Sequence, residues 1–131
     1  MKDLEFLKDY FHKLNNLIGD NKYFENLIKV KEILKQTHAI GKKTMIFGNG
    51  GSAAIASHFS VDLTKNARVR CTNYNESDLI TCFSNDYGYE KWVDRTIEFY
   101  GDEGDSVILI SAGGNSENMI KGAESARKKN I

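Results

Sequence analysis

Leu4, Leu7, Phe11, Leu14 and Ile18 recur at spacings of three, four, three and four, which puts them on one face of a helix. Phe6, Tyr10 and Leu17 widen that stripe beyond what one partner helix needs. Gly19-Asp20-Asn21 interrupts the pattern, and a second helix follows with Phe24, Leu27, Ile28, Val30, Ile33 and Leu34 expected inward. It ends near Ile40-Gly41, where a glycine suits a C-cap. The two helices either cover their own domain or, given the breadth of the first stripe, carry it across a subunit interface.

At Thr44 the period changes. Thr44-Met45-Ile46-Phe47 is a short apolar run that fits a buried parallel strand. Gly48 to Ser52 predicts a turn and Ala53 to Leu63 a helix, with Ser52 at its N-cap. Arg68 to Thr72 predicts a second strand, Asp78 to Phe83 a short helical turn, and Tyr89 to Tyr100 a longer helix. Gly101 to Asp105 turns, Ser106 to Ile110 is the clearest strand, and Ser116 to Lys129 the clearest helix. Strands alternating with helices imply an α/β fold with a parallel sheet and right-handed crossovers.

Composition narrows the partners. The chain has 131 residues, 18 Lys+Arg against 18 Asp+Glu, and no net charge, which argues against direct nucleic-acid binding. A 40% hydrophobic content suffices for a core. No apolar run approaches the roughly 18 residues of a membrane span. Cys71 and Cys82 lack metal-site or redox spacing and predict reduced thiols in a cytoplasmic protein.

Two loops join a strand to a helix, where open α/β sheets bind ligands. In Gly48-Asn49-Gly50-Gly51-Ser52 the glycines let the backbone approach an anion, and the following helix offers free N–H groups. Ser111-Ala112-Gly113-Gly114-Asn115-Ser116 repeats the plan after the last strand. Two such loops on neighbouring strands point to a phosphate or polyol site. Gly48, Gly50 and Ala53 also satisfy a dinucleotide fingerprint. That scheme needs an acidic residue about 20 positions on, and Thr72, Asn73, Tyr74 and Asn75 stand there instead.

His58 and Asp62 are four residues apart and share a helix face. Such a pair can ligate a metal, pair an imidazole with a general base, or simply form a surface hydrogen bond. His12 and His38 are expected to be structural or exposed. Ser84 to Tyr89 is expected as a polar turn, in which Asn85 or Asp86 either caps the next helix or offers hydrogen bonds to sugar hydroxyls.

Taken together, Phe47 to Ala53, His58-Phe59 with Asp62, Asn85 to Tyr89, and Gly104-Asp105 through Ser111, Gly114, Asn115 and Ser116 resemble the sugar isomerase (SIS) domain family, in its phosphoheptose isomerase branch. The resemblance implies a three-layer αβα sandwich with a doubly wound parallel sheet of flavodoxin-like order. Two helices over residues 1–41 would precede a SIS domain over 42–131 and pack on it and on a subunit interface. It also implies a homotetramer, isomerisation of sedoheptulose 7-phosphate to a glycero-manno-heptose 7-phosphate, and a place in heptose synthesis for surface polysaccharide.

By that resemblance Asn49, Gly50, Gly51 and Ser52 line the sugar site, Asn85 and Asp86 contact substrate, and Ser111, Gly113, Asn115 and Ser116 surround the phosphate. His58 corresponds to a metal ligand, the metal being zinc, and Asp62 to a catalytic carboxylate that shares the metal site. Departures from the family pattern are Asp62 in place of Glu, Ala112 and Gly113 in place of two hydroxyl residues, and three strands where the family has more. They imply a sheet short of its last βα units, of roughly 30 residues each for a βαβ step, and a chain that is not by itself a competent catalyst. A non-catalytic phosphosugar-binding or protein-partner module, of the kind that assists a replication initiator, is the alternative implied.

Overall fold

The structure is a computed structural model that describes residues 2–131. The chain divides into two compact units, residues 1–32 and 33–131. That division falls inside the second helix.

In the first unit, α1 spans Lys2–Ile18 and buries none of its side chains; Leu14 alone is half-buried. A 3-10 turn at Asn21–Tyr23 is capped by Asp20, whose carboxylate accepts from Lys22 N–H, and leads into α2, Phe24–Ala39. The inward face expected for α2 is corrected here: Phe24, Leu27, Ile28, Val30 and Ile33 are exposed, and only Leu34 and Thr37 are buried. Periodicity identifies which residues share a face. Burial is a separate property, which these side chains do not show.

The second unit is a three-stranded parallel sheet in the order β2-β1-β3, with β1 Thr44–Gly48, β2 Cys71–Asn73 and β3 Ser106–Ile110. The flavodoxin-like order expected from the resemblance is the order observed. Every residue of the central β1 is buried, as a strand between two others and covered on both faces must be. Its side chains alternate between two cores. Met45 and Phe47 pack with Trp92, Val93, Ile97 and Met119 on one face. On the other, Leu34, Leu63 and Val69 form a smaller cluster, with Cys71 and Ile108 against it.

The crossovers are α3 Gly51–Lys65 and, between β2 and β3, α4 Ser77–Tyr87 with α5 Trp92–Tyr100; α6 Glu117–Lys128 follows β3. Three element boundaries differ from expectation. The second strand starts at Cys71 because Arg68 takes a positive φ of 58°, which breaks extended backbone. The expected short turn at Asp78 extends to Tyr87, so Asn85 and Asp86 lie on the exposed last turn of α4. The helix expected over Tyr89–Tyr100 starts as a 3-10 turn at Tyr89–Lys91 and becomes α-helical at Trp92. Close packing of α5 on α6 requires Gly122, where an added Cβ would sit 2.5 Å from Val93 Cγ1.

At the amino ends of the strands Asp105 acts as a clamp. Its side chain is fully buried, and it accepts from Lys43 Nζ at 2.5 Å, Lys43 N–H at 3.0 Å and Asp102 N–H at 2.9 Å. Burial pushes the carboxyl up, but these hydrogen bonds and the Lys43 charge outweigh it and hold the group below the ordinary aspartate range. One residue on, the Thr44 and Ser106 hydroxyls pair at 2.9 Å across the β1–β3 ladder, both buried.

Asp105→Ala removes the acceptor for three donors and should destabilise the fold by about 3 kcal/mol, measured by urea unfolding at neutral pH. Because the folded carboxyl titrates below the unfolded one, its stabilisation is present above about pH 4 and is lost as pH falls through the folded value. The acid-side loss of stability should therefore be shallower in Asp105→Ala than in the parent.

Candidate functional site

The ladder between β1 and β3 runs in register from Thr44↔Ser106 to Gly48↔Ile110, so both strand-to-helix loops leave the sheet at one level. The first loop turns tightly into α3. Ser52 N–H donates to the Asn49 carbonyl at 2.9 Å and Ala53 N–H to the Gly50 carbonyl at 3.0 Å. Gly48 is required by space, since a Cβ there would lie 2.3 Å from the Ser52 carbonyl oxygen and 2.7 Å from Ala53 N. Gly50 has φ +52° and is the N-cap of α3, which corrects the expectation for Ser52. The helix starts two residues earlier than expected because glycine alone tolerates that turn, leaving Ser52 half-buried on the first helical turn. An added Cβ at Gly51 meets nothing within 4 Å, so this stretch of backbone is open to an approaching group.

The second loop is held by its own hydroxyls. Ser111 Oγ and Ser116 Oγ lie 3.2 Å apart, and Gly114 N–H donates to Ser111 Oγ at 3.2 Å. Ser116 is the N-cap of α6 by backbone conformation but makes no side-chain bond to the helix. Its hydroxyl therefore stays on the loop side, facing Ser111. Gly113 and Asn115 are exposed at the loop tip. The arrangement pairs two hydroxyls with the amino end of α6, a combination suited to an anion.

Asparagines tie these loops to the rest of the unit, and most of them escape the sequence patterns. Asn75 grips Gly48 by both backbone groups, accepting from its N–H at 3.2 Å and donating to its carbonyl at 2.6 Å. Asn73 accepts from Asn75 N–H at 3.1 Å and donates to Ser57 Oγ at 2.9 Å. The position where a dinucleotide site would carry a ribose-binding carboxylate thus holds a structural amide. Asn49 and Asn118 exchange two side-chain bonds of 3.0 Å, and Tyr89 Oη donates to Asn49 Oδ1 at 3.0 Å.

His58 and Asp62 form a separate group, about 10 Å and 16 Å further along α3 from Gly51 at a rise of about 1.5 Å per residue. Their Nε2 and Oδ2 atoms are 3.5 Å apart, with side-chain exposures of 82% and 48%. Asp62 also accepts from Asn66 Nδ2 at 3.0 Å. A shallow surface depression of about 440 Å³ is lined by Ala54, Ile55, His58, Phe59 and Asp62. Among the described residues no third His, Cys, Asp or Glu joins this pair. Zinc sites take four ligands, at least three of them from protein, so His58 and Asp62 alone do not make one.

Asn85 donates to Asp86 Oδ1 at 2.9 Å, and Asp86 Oδ2 receives the Cys82 thiol at 3.8 Å. The capping role considered for this pair is corrected: both lie in the last turn of α4, and α5 has no side-chain cap. Among the described residues no hydrogen bond joins the serine loop, the His58–Asp62 pair and the Asn85–Asp86 pair to one another.

A parallel α/β sheet with paired glycine- and serine-rich loops at the carboxyl ends of adjacent strands defines an open α/β domain with both loops at the edge where such sheets bind ligands. The chain belongs to the SIS domain family, whose model matches residues 9–131. It is similar to the phosphoheptose isomerase of Sodalis glossinidius, 32% identical over 123 residues that cover 90% of this chain and 63% of the relative. It is also similar to that of Buchnera aphidicola, at 36% identity with 90% and 64% covered. The chain thus spans a little under two thirds of the length of these curated relatives. A solved phosphoheptose isomerase from Neisseria gonorrhoeae superimposes with TM-score 0.88 at 24% identity, over 100% of this chain and 72% of that one. One from Francisella tularensis gives 0.82 at 23%, over 99% and 72%. The family and fold expected from the motifs are those found.

Gly48→Ala should cost about 1–3 kcal/mol, because its new methyl must displace the backbone of α3. Gly51→Ala should be neutral or stabilising by up to about 1 kcal/mol, since the site is open and helical. Urea unfolding of the two variants side by side checks both.

Proposed function

We propose that this domain works as a phosphosugar aldose–ketose isomerase, converting sedoheptulose 7-phosphate to D-glycero-D-manno-heptose 7-phosphate. The observation that supports this most is the pair of loops leaving β1 and β3 at one level, one open at Gly51 and the other carrying two facing hydroxyls. The relatives named phosphoheptose isomerase point to the same substrate class.

In this reading Ser111, Ser116 and the amino end of α6 hold the phosphate, with Gly113 and Asn115 shaping the loop around it. Gly50, Gly51 and Ser52 face the sugar chain together with Asn49, and Asn85 and Asp86 offer further hydrogen bonds to its hydroxyls. The reaction removes a proton from C1 of the ketose and returns one to C2 through an enediol, while the carbonyl moves from C2 to C1. Asp62 is the base that carries the proton, and His58 donates to the developing oxyanion. No step is assigned to a metal. The expected setting is the cytoplasm and the route to surface-polysaccharide heptose.

The exposure of His58 and Asp62 requires a cover, because positioned proton transfer needs water excluded. A second copy of this chain is the proposed cover, in a homotetramer. Exposed Ile55 and Phe59 flank the pair, and the apolar stripe of α1 is exposed among the described residues. No described helix is long and apolar enough to cross a membrane.

The second reading, phosphosugar binding without turnover, is favoured by the same exposure and by the donor set of only two. Coupled detection of the heptose 7-phosphate separates them. Isomerisation that falls at least about a hundredfold in Asp62→Asn, with binding retained, supports the enzyme. Binding with no turnover in the parent supports the module. Phe11→Asp, on an exposed α1 position, should leave thermal stability of the monomer unchanged and lower the mass seen by sedimentation velocity.

A further inference from the structure

Asn118 is only 2% exposed, in the first turn of α6, and a buried amide must find partners. It finds them on Asn49, in the loop after β1, 69 residues away in sequence. The Asn49 carbonyl accepts from Asn118 Nδ2 and from Tyr89 Oη, which uses both of its lone pairs. One N–H of Asn49 goes to Asn118 Oδ1, leaving a single N–H for any ligand. The side chain that family resemblance makes a sugar ligand is therefore occupied mainly as a fastener. It joins the first loop to the helix that begins immediately after the second loop, with the 3-10 turn before α5 as a third anchor.

We propose that Asn118 and Tyr89 are positioning residues that act through Asn49. They fix the first loop against α6 and so set the span between the Gly50–Gly51 backbone and the Ser111–Ser116 hydroxyls. This span is what would match a ligand with a phosphate at one end and a polyol chain at the other. A consequence for specificity follows: Asn49 can donate to a sugar oxygen but cannot accept from a sugar hydroxyl. The assignment to a phosphosugar rests on the function proposed above, whereas the fastening of the loop does not.

The experiment uses the intact protein and two variants. Tyr89→Phe removes one hydroxyl from a half-exposed ring, and Asn118→Leu removes both amide bonds at similar volume. The first readout is amide hydrogen exchange at Ser52 and Ala53, whose N–H groups close the first loop, with Met45 and Ile46 in β1 as internal controls. Exchange at Ser52 and Ala53 should rise about fivefold in Tyr89→Phe and about thirtyfold in Asn118→Leu, at about one and two lost hydrogen bonds, with the β1 amides unchanged. The second readout is calorimetric affinity for sedoheptulose 7-phosphate and for inorganic phosphate. In Tyr89→Phe heptose phosphate affinity should fall by a similar factor while inorganic phosphate stays within about twofold, since that substitution touches neither the serine loop nor α6.

Unchanged exchange at Ser52 and Ala53 in both variants overturns the proposal, as does equal loss of affinity for the two probes. If Asn118→Leu raises exchange in β1 as well, Tyr89→Phe decides. A parent protein that does not bind the heptose phosphate at all sinks the proposed function, and the exchange result then stands alone for or against the fastener.

Discussion

Parallel register between β1 and β3 pairs Thr44 with Ser106 at one end and Gly48 with Ile110 at the other, and the geometry of the site depends on it. Because side chains alternate with period two, a slip of one residue would turn Phe47 out of the aromatic core and move one loop away from the other. The register is held at both ends by polar groups. Asp105 gathers Lys43 and Asp102 at the amino end, and the Thr44–Ser106 hydroxyl pair sits beside it. At the carboxyl end Asn75 holds Gly48, and Asn49 reaches across to Asn118. Between them lies the buried ring of Phe47, whose centroid is 5.5 Å from that of Tyr74 and 5.7 Å from that of Trp92.

That division of labour explains how the loops stay open. A glycine-rich turn has little side-chain packing of its own, so its conformation must be set from outside. Here the setting is done by the amide of Asn75 just after β2, the amide of Asn118 on α6 and the Tyr89 hydroxyl in the turn before α5. Gly51 can then remain uncovered while the backbone around it is fixed, which is the preorganisation that binding a charged ligand needs.

Much of this was legible in the residues. β1 and β3 stand out because a covered strand is a continuous apolar run, and both loops stand out because glycine and serine cluster where those runs stop. β2 was displaced because its three residues include polar Thr72 and Asn73, while its start is governed by the backbone of Arg68. The polar cluster Ser84-Asn85-Asp86 suggested a turn but is the end of a helix, two of its residues solvent-facing. The apolar positions of α2 share faces as expected, yet most are exposed, since burial is a property of the partner as much as of the stripe. Asn118 gave no signal. An asparagine near a helix start looks like any solvated polar residue until its distant partner is known.

The His58 and Asp62 side chains stand 3.5 Å apart on α3, His58 exposed and Asp62 half-exposed. The first loop opens α3 and the pair lies further along it, so a ligand spanning both would run along the helix from its amino end. The most direct measurement of this account is chemical-shift mapping of the labelled protein titrated with sedoheptulose 7-phosphate. The account predicts saturable shifts centred on Gly50, Gly51, Ser111, Gly114 and Ser116, extending along α3 towards His58. Shifts confined to another surface, or none at millimolar ligand, would contradict it.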